Sequence, residues 1–343
     1  MSDHLDVGGE IRKARGATGQ SITDIEKITR IPSQIIKDIE NNSFESSGGT
    51  AYVRGNIRII AKVLNLDSAA LLSTFEKQTQ EVFRVAKKNF IVGAAVPTSN
   101  GKSVVPRVES LIMSGAKAIL VDTANGHSTF AVDTVREIRR RFPDIHIMAG
   151  NVATATGFVA LALAGADSIR VGIGGGSCCT TRLVSGHGLP TLASIIDCYE
   201  MSTKLGLPTS IIADGGIKNS GDAVKAFAAG ADAVMLGSLL AGHKESPGQI
   251  FEKDGVSYKK FRGMASKEAQ HDWRGHSTGV EGIDTVIPYR GSVSNTLDEL
   301  RVGIGSGCSY SGCGSLEDLV WNAEYTIVTP NSMNESVPHG KAR

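Results

Sequence analysis

The run VGIGGGSCCTTR, residues 171 to 182, gathers groups suited to covalent chemistry on a bound ligand. Glycines at 172, 174, 175 and 176 free the backbone to turn carbonyls and amides toward a ligand. Ser177 can meet a phosphate. Cys179 follows at an expected loop tip, where a thiolate could attack an electrophilic carbon. Thr180 and Thr181 add hydroxyls. A glycine-rich loop taken alone also reads as a flexible turn, so the chemistry rests on the whole string.

The elements that must position this loop begin near residue 89. Short apolar runs (FIVGAAV, AILVDTA, IHIMAG, SIRVGIG, SIIADGG and AVMLGS) alternate with helical stretches such as TFAVDTVREIRRRFP, ATGFVALALAGA and SGDAVKAFAAGA. That rhythm predicts βα units around buried parallel strands. Candidate ligand groups follow each strand, as in a (β/α)8 barrel of the TIM type, whose site is built at the strand C-termini. A doubly wound sheet would carry one glycine-rich loop at its first strand; here the glycines recur in the fourth, fifth and sixth runs. Only six βα units are visible where such a barrel has eight, so the barrel is expected to lack two.

The first 75 residues read as a small all-α domain, and residues 76–88 as a helical linker. Ser21 and Asp24 look like a helix start, and Pro32 suits a first helical turn. Short helices joined by turns of a few residues form a helix-turn-helix pattern. Charges mix along the third helix at Lys37, Asp38 and Glu40, which argues against a phosphate-tracking face. In composition the chain is ordinary for a soluble globular protein, with 41% hydrophobic and 21% charged residues. Its net charge of +1 favours neither nucleic acid nor membrane. No apolar run approaches the ~18 residues of a membrane span, and the polar start lacks a signal-peptide pattern. Five cysteines without CxxC spacing suggest neither a disulfide framework nor a zinc site, and fit a reducing cytoplasm.

The string G-I-G-G-G-S-C-C-T-T-R resembles the nucleophile loop of the IMP dehydrogenase and GMP reductase family, and the resemblance spans residues 89–339. It implies that Cys179 bonds covalently to C2 of a purine mononucleotide, GMP or IMP, with hydride passing between C2 and a nicotinamide, NADPH or NAD. Cys178 falls on a variable position of the motif. The other landmarks follow in family order. The resemblance implies that Ser177, Asp214, Gly215, Gly216, Gly237 and Ser238 hold the ribose and phosphate. Gly263, Met264 and Ala265 would read the purine edge, while Asp122, Asn125, Asn151 and Gly172 would lie on the nicotinamide side. Glu281 matches the glutamate that relays protons with Thr181. NES at 334 to 336 resembles a potassium-binding tail, implying an ion held by carbonyls of Gly174, Gly176 and Cys179, with Glu335 from a neighbouring subunit of a tetramer.

Within the family the dehydrogenase activates water with an arginine–tyrosine pair on its flap; the reductase, which releases ammonia from GMP, does not need it. The flap here, residues 262–286, carries Arg274 but no tyrosine. That favours the reductase, although IPYRG and NESVPHG look more like the dehydrogenase. The phrase GGTAYVRGNIRIIAKVLNLD resembles the helix-turn-helix domain of the cell-shape protein RodZ, which docks on a cytoskeletal protein. DNA contact, protein docking and a passive appendage all stay open for these helices. Because no counterpart of the first two βα units occurs in residues 1 to 88, three outcomes stand: an active oxidoreductase, a catalytically impaired nucleotide-sensing module, or a non-functional fusion.

Overall fold

The computed structural model describes residues 6–29, 31–44, 50–75, 91–98, 103–330, 332 and 336. Helices α1 (Val7–Ala17), α2 (Ile22–Thr29), α3 (Ser33–Glu40), α4 (Thr50–Val63) and α5 (68–75) come first. At α2, Ser21 and Asp24 cap reciprocally: the Asp24 N–H donates to the Ser21 hydroxyl, and the Asp24 carboxylate accepts from the Ser21 N–H. Pro32 stands just before α3 rather than in its first turn. These helices share a core of their own, in which Ile11, Ile25, Ile36, Ile39, Ile57 and Ile60 are sealed from water. Glu40 is buried against Arg15, with Nε–Oε1 and Nη2–Oε2 contacts of 2.5 and 2.9 Å. One of the three charges that mix along α3 is therefore turned inside.

From residue 93 a parallel sheet forms in sequence order: β1 (Gly93–Val96), β2 (Ala118–Asp122), β3 (His146–Val152), β4 (Ser168–Val171), β5 (Ser210–Asp214) and β6 (Ala233–Met235). The connecting helices are α6 (Val105–Met113), α7 (Thr129–Arg141), α8 (Ala155–Leu163), α9 (Thr181–Val184), α10 (Thr191–Leu205), α11 (Ser220–Ala228) and, after β6, α12 (Ser238–Ala241). This is a partial TIM-type barrel of six strands. One sequence device sets three of its crossovers. Helices α6, α8 and α11 each stop at a left-handed glycine followed by alanine, as Gly115-Ala116, Gly165-Ala166 and Gly230-Ala231. The alanine N–H reaches back to the carbonyl five residues earlier, at Leu111, Leu161 and Ala226. After two of these stops an aspartate launches the next strand. Asp167 and Asp232 each accept the N–H of the preceding strand's isoleucine, Ile147 or Ile211, at 2.6 Å.

The helix-facing side of the sheet is the core. Val96, Ile119, Val121, Ile147, Ala149, Ile169, Val171, Ile211 and Ala213 are all buried there. Beyond α12 lies a three-stranded antiparallel sheet, β7 (Ile250–Lys253), β8 (Val256–Arg262) and β9 (Asp284–Pro288), with α13 (Lys267–Arg274) inserted between β8 and β9. Helix α14 (Ser294–Tyr310) then packs on α11, with Gly303 and Gly307 against Ser220 and Val224, and α15 (Leu319–Asn322) follows. Among the described residues no helix is long and apolar enough to cross a membrane.

Candidate active site

The loop after β4 turns back at Cys179, whose N–H closes on the Gly176 carbonyl at 3.1 Å. Cys179 is exposed at the turn while Cys178 is buried. Burial pushes the Cys178 thiol above its ordinary range, even though Ser177 hydrogen-bonds it. The two neighbouring sulfurs thus sit in different environments, and the exposed one sits on the motif's nucleophile position.

Three stretches of backbone meet at this turn. Cys179 bridges Gly282, flanked by Thr180 N–H to Glu281 O at 2.9 Å and Ile283 N–H to Cys178 O at 3.0 Å. The segment after β8 joins through Glu281 N–H to Ala265 O at 3.1 Å and Gly263 N–H to Ile283 O at 3.1 Å. The bridge forces Glu281, a hundred residues along the chain, over the cysteine loop. The side chains then line up. The Cys179 thiol donates to Thr181 Oγ1 at 3.2 Å, and the Thr181 hydroxyl donates to Glu281 Oε2 at 2.6 Å. Thiol, hydroxyl and carboxylate form one proton path, with Thr181 and Glu281 partly shielded from bulk water. Gly263 lies against Cys178, whereas Met264 is 72% exposed and Ala265 is exposed beside it. Met264 is open at the surface, whereas the Ala265 carbonyl is already engaged by Glu281 N–H and by the Gln270 side-chain amide.

A second cluster joins the ends of β2 to β5. The Asn151 side-chain amide donates to Gly172 O at 2.7 Å and to Asp214 Oδ2 at 2.8 Å. It therefore ties a residue expected on the nicotinamide side directly to the aspartate expected at the ribose. At Gly172, where φ is +139°, an added Cβ would stand 2.0 Å from Asp214 O, so only glycine lets β4 pass the end of β5. Gly215 also presses on Gly175, where an added Cβ would meet backbone at 2.8 Å. These contacts bring the Asp214–Gly215–Gly216 turn to the base of the cysteine loop. Asp122 and Asn125 lie exposed at the rim after β2, and the Asn125 carboxamide accepts the His127 N–H at 3.1 Å. Gly237 and Ser238 lie at the end of β6, outside the contacts that join the other strand ends. Glu335 falls outside the described residues, as does Asn334.

Arg170 is a site residue that motif reading passed over. Its guanidinium contacts the Asp122 carboxylate and lies 3.6 Å from Asp214 Oδ2, with its side chain only 12% exposed. Its Nε is buried without a hydrogen-bond partner. One positive charge is thus shared by two carboxylates beneath the rim. The available signal was a basic residue inside the apolar strand SIRVG. Lys259, also passed over, is buried on β8 and donates to His243 O at 2.8 Å, Ser246 O at 2.5 Å and Ser246 Oγ at 3.2 Å. It clamps the antiparallel sheet to the loop after α12.

Parallel βα units ending in an exposed thiol hydrogen-bonded through a hydroxyl to a carboxylate define a partial barrel with a cysteine at its strand-end loops. A profile of the IMP dehydrogenase / GMP reductase domain matches residues 41–339, and a helix-turn-helix profile matches residues 10–71. The chain belongs to the IMP dehydrogenase/GMP reductase family. It is 42% identical over 261 residues to the inosine-5'-monophosphate dehydrogenase of Nitrosopumilus maritimus, covering 73% of this chain and 54% of that protein. It is 41% identical over 258 residues to the same-named protein of Escherichia coli K12, covering 72% and 52%. A cysteine-to-alanine variant of GMP reductase from Trypanosoma brucei, crystallised with guanosine 5'-monophosphate, superposes with a TM-score of 0.70 at 38% identity, covering 74% and 53%. The chain spans about half the length of the relatives it matches. The two profiles overlap over residues 41–71, but the helices there pack into the N-terminal core with α1 to α3.

Proposed function

We propose that this chain is a purine nucleotide oxidoreductase that works as a GMP reductase, converting GMP and NADPH to IMP and ammonia. The observation that carries this reading is the Cys179–Thr181–Glu281 path at the mouth of the strand-end loops. Cys179 loses its proton along that path and its sulfur adds to C2 of the purine. The proton held between Thr181 and Glu281 then passes to the departing 2-amino group, which leaves as ammonia. When bound, NADPH supplies the hydride that reaches C2. As the C2–S bond breaks, the electron pair returns to the Cys179 sulfur and IMP is released.

Around the reacting carbon, Asp214 accepts the ribose hydroxyls. Ser177, Gly215, Gly216, Gly237 and Ser238 surround the phosphate, and Gly263, Met264 and Ala265 face the base. Asp122 and Asn125, open on the rim, fit the nicotinamide nucleotide. Asn151 acts there by holding Gly172 and Asp214 in place, its N–H groups being committed to them. Carbonyls of Gly174, Gly176 and Cys179 belong to one closed turn. The Gly176 carbonyl keeps a lone pair beyond its bond to Cys179 N–H, which leaves it able to help hold a potassium ion.

The flap supports reduction over hydration. Arg274 ends α13, Gly275 follows in a left-handed turn, and no tyrosine occurs between Gly263 and Pro288. A second reading, IMP dehydrogenase, is favoured by the 41–44% identity to relatives of that name, against 38% to the GMP reductase. Purified protein is expected to oxidise NADPH only when GMP is present, releasing one ammonia per turnover. Reduction of NAD with IMP, and none of NADPH oxidation with GMP, would reverse the assignment.

A further inference from the structure

The two faces of the parallel sheet are unequally covered. Toward the helices, the nine side chains from Val96 to Ala213 named above are all no more than 2% exposed. On the opposite face, register aligns Ala95, Leu120 and Met148 across β1 to β3, and Gly150, Arg170, Ile212 and Ala233 across β3 to β6. There Ala95 and Ala233 on the outer strands are exposed and Leu120 and Met148 are half-buried, while Ser168 and Ile212 on the inner strands are buried. Purely parallel sheets are stable when both faces are covered. The outer strands repeat the pattern: among the described residues β1 pairs only with β2, and β6 only with β5. Beside β1, Ile91 and Met113 are 82% and 84% exposed.

We infer that the free edges of β1 and β6 and the open inner face bind a second polypeptide carrying two parallel βα units, which closes an eight-stranded barrel. Three features define this partner. All six strands run the same way in consecutive order, so the gap takes parallel strands joined by a helix. Eight strands give an interior that side chains just fill. A second copy of this chain would make a ring of twelve and leave a void, so a copy is the wrong occupant. The N-terminal helices are built around their own core and supply no strand. Because Gly93, Ala95 and Ala233 are small, with Met235 the one large inward-facing edge position, the incoming strands must present bulky aliphatic side chains opposite the small ones to reach interior density.

The test uses the full chain and a designed two-unit βαβα fragment with its strands registered on β1 and β6. Hydrogen exchange is followed by mass spectrometry, and stoichiometry by light scattering. Amides of 93–96 and 233–235 are expected to exchange at least tenfold faster than those of 147–152 in the chain alone. The fragment should bind one to one and slow them at least tenfold. Ala95→Glu and Ala233→Glu, both at exposed positions, should leave the circular dichroism and Tm of the chain unchanged and weaken fragment binding at least tenfold. Edge amides already protected in the chain alone would overturn the inference, and so would fragment binding that leaves them unprotected or ignores both substitutions. Self-association of the chain that protects the same amides would also overturn it, in favour of a second copy. Neither readout involves turnover at Cys179, so the outcome is separable from the reaction proposed there.

Discussion

At the scale of single residues, reactivity here is a matter of exposure and wiring. Two adjacent thiols share a loop, yet Cys178 is buried with its protonation favoured, while Cys179 is open and hydrogen-bonded to Thr181. Brief treatment with iodoacetamide at pH 7.5 is expected to alkylate Cys179 and spare Cys178 and Cys198. Peptide mapping that finds Cys178 modified first would contradict the geometry. The relay makes a second statement. Glu281→Gln keeps the shape but removes the proton acceptor, so kcat should fall by about 10²–10⁴ with GMP affinity nearly unchanged. Thr181→Val should fall similarly, since it cuts the same path in the middle. A loss confined to KM in both variants would assign these residues to binding instead.

At the scale of elements, the site is held by backbone that is distant in sequence. The bridge between Cys179 and Gly282, and the amide of Asn151 between the ends of β3, β4 and β5, replace local rigidity with cross-ties. Lys259 does the same for the loop after α12, giving three hydrogen bonds to His243 and Ser246 from a position only 1% exposed. Lys259→Met would leave the Ser246 carbonyl without its donor, while His243 O keeps its bonds from Ser246, at a cost of about 1–3 kcal/mol. The measurement is the urea midpoint at constant m-value; an unchanged midpoint would show that the loop re-pairs with water.

At the scale of the whole molecule, the core lies between sheet and helices, and its one strongly shifted thiol reports on it. Cys198 on α10 is fully buried, and burial pushes its thiol from 9.0 up to about 12. The folded state therefore keeps a proton that the unfolded chain releases above pH 9. Stability should be unaffected by this group below pH 9 and should fall as pH rises from 9 toward 12. Cys198→Ala should flatten that part of the stability–pH curve. An identical slope in both proteins would place the alkaline loss elsewhere.

The order of the six parallel strands and the exposed turn of the cysteine loop were readable in the residues themselves. Apolar runs ending in glycine mark parallel strands because such strands pack against helices and end where backbone must turn. The string from Gly172 to Arg182 is specific because each position answers to a different steric or chemical demand. Even the hairpin between β7 and β8 left a signal, Asp254-Gly255 with both residues at positive φ, a turn that DG pairs favour. Tertiary structure decided what depends on distant chain segments meeting: Arg170 between two carboxylates, Asn151 bonded to Asp214 rather than free on the rim, Glu40 turned inward onto Arg15, and the bareness of one sheet face. Sequence periodicity shows which side chains share a face. It does not show whether anything stands opposite, because burial belongs to pairs of surfaces and the chain spells out each surface alone.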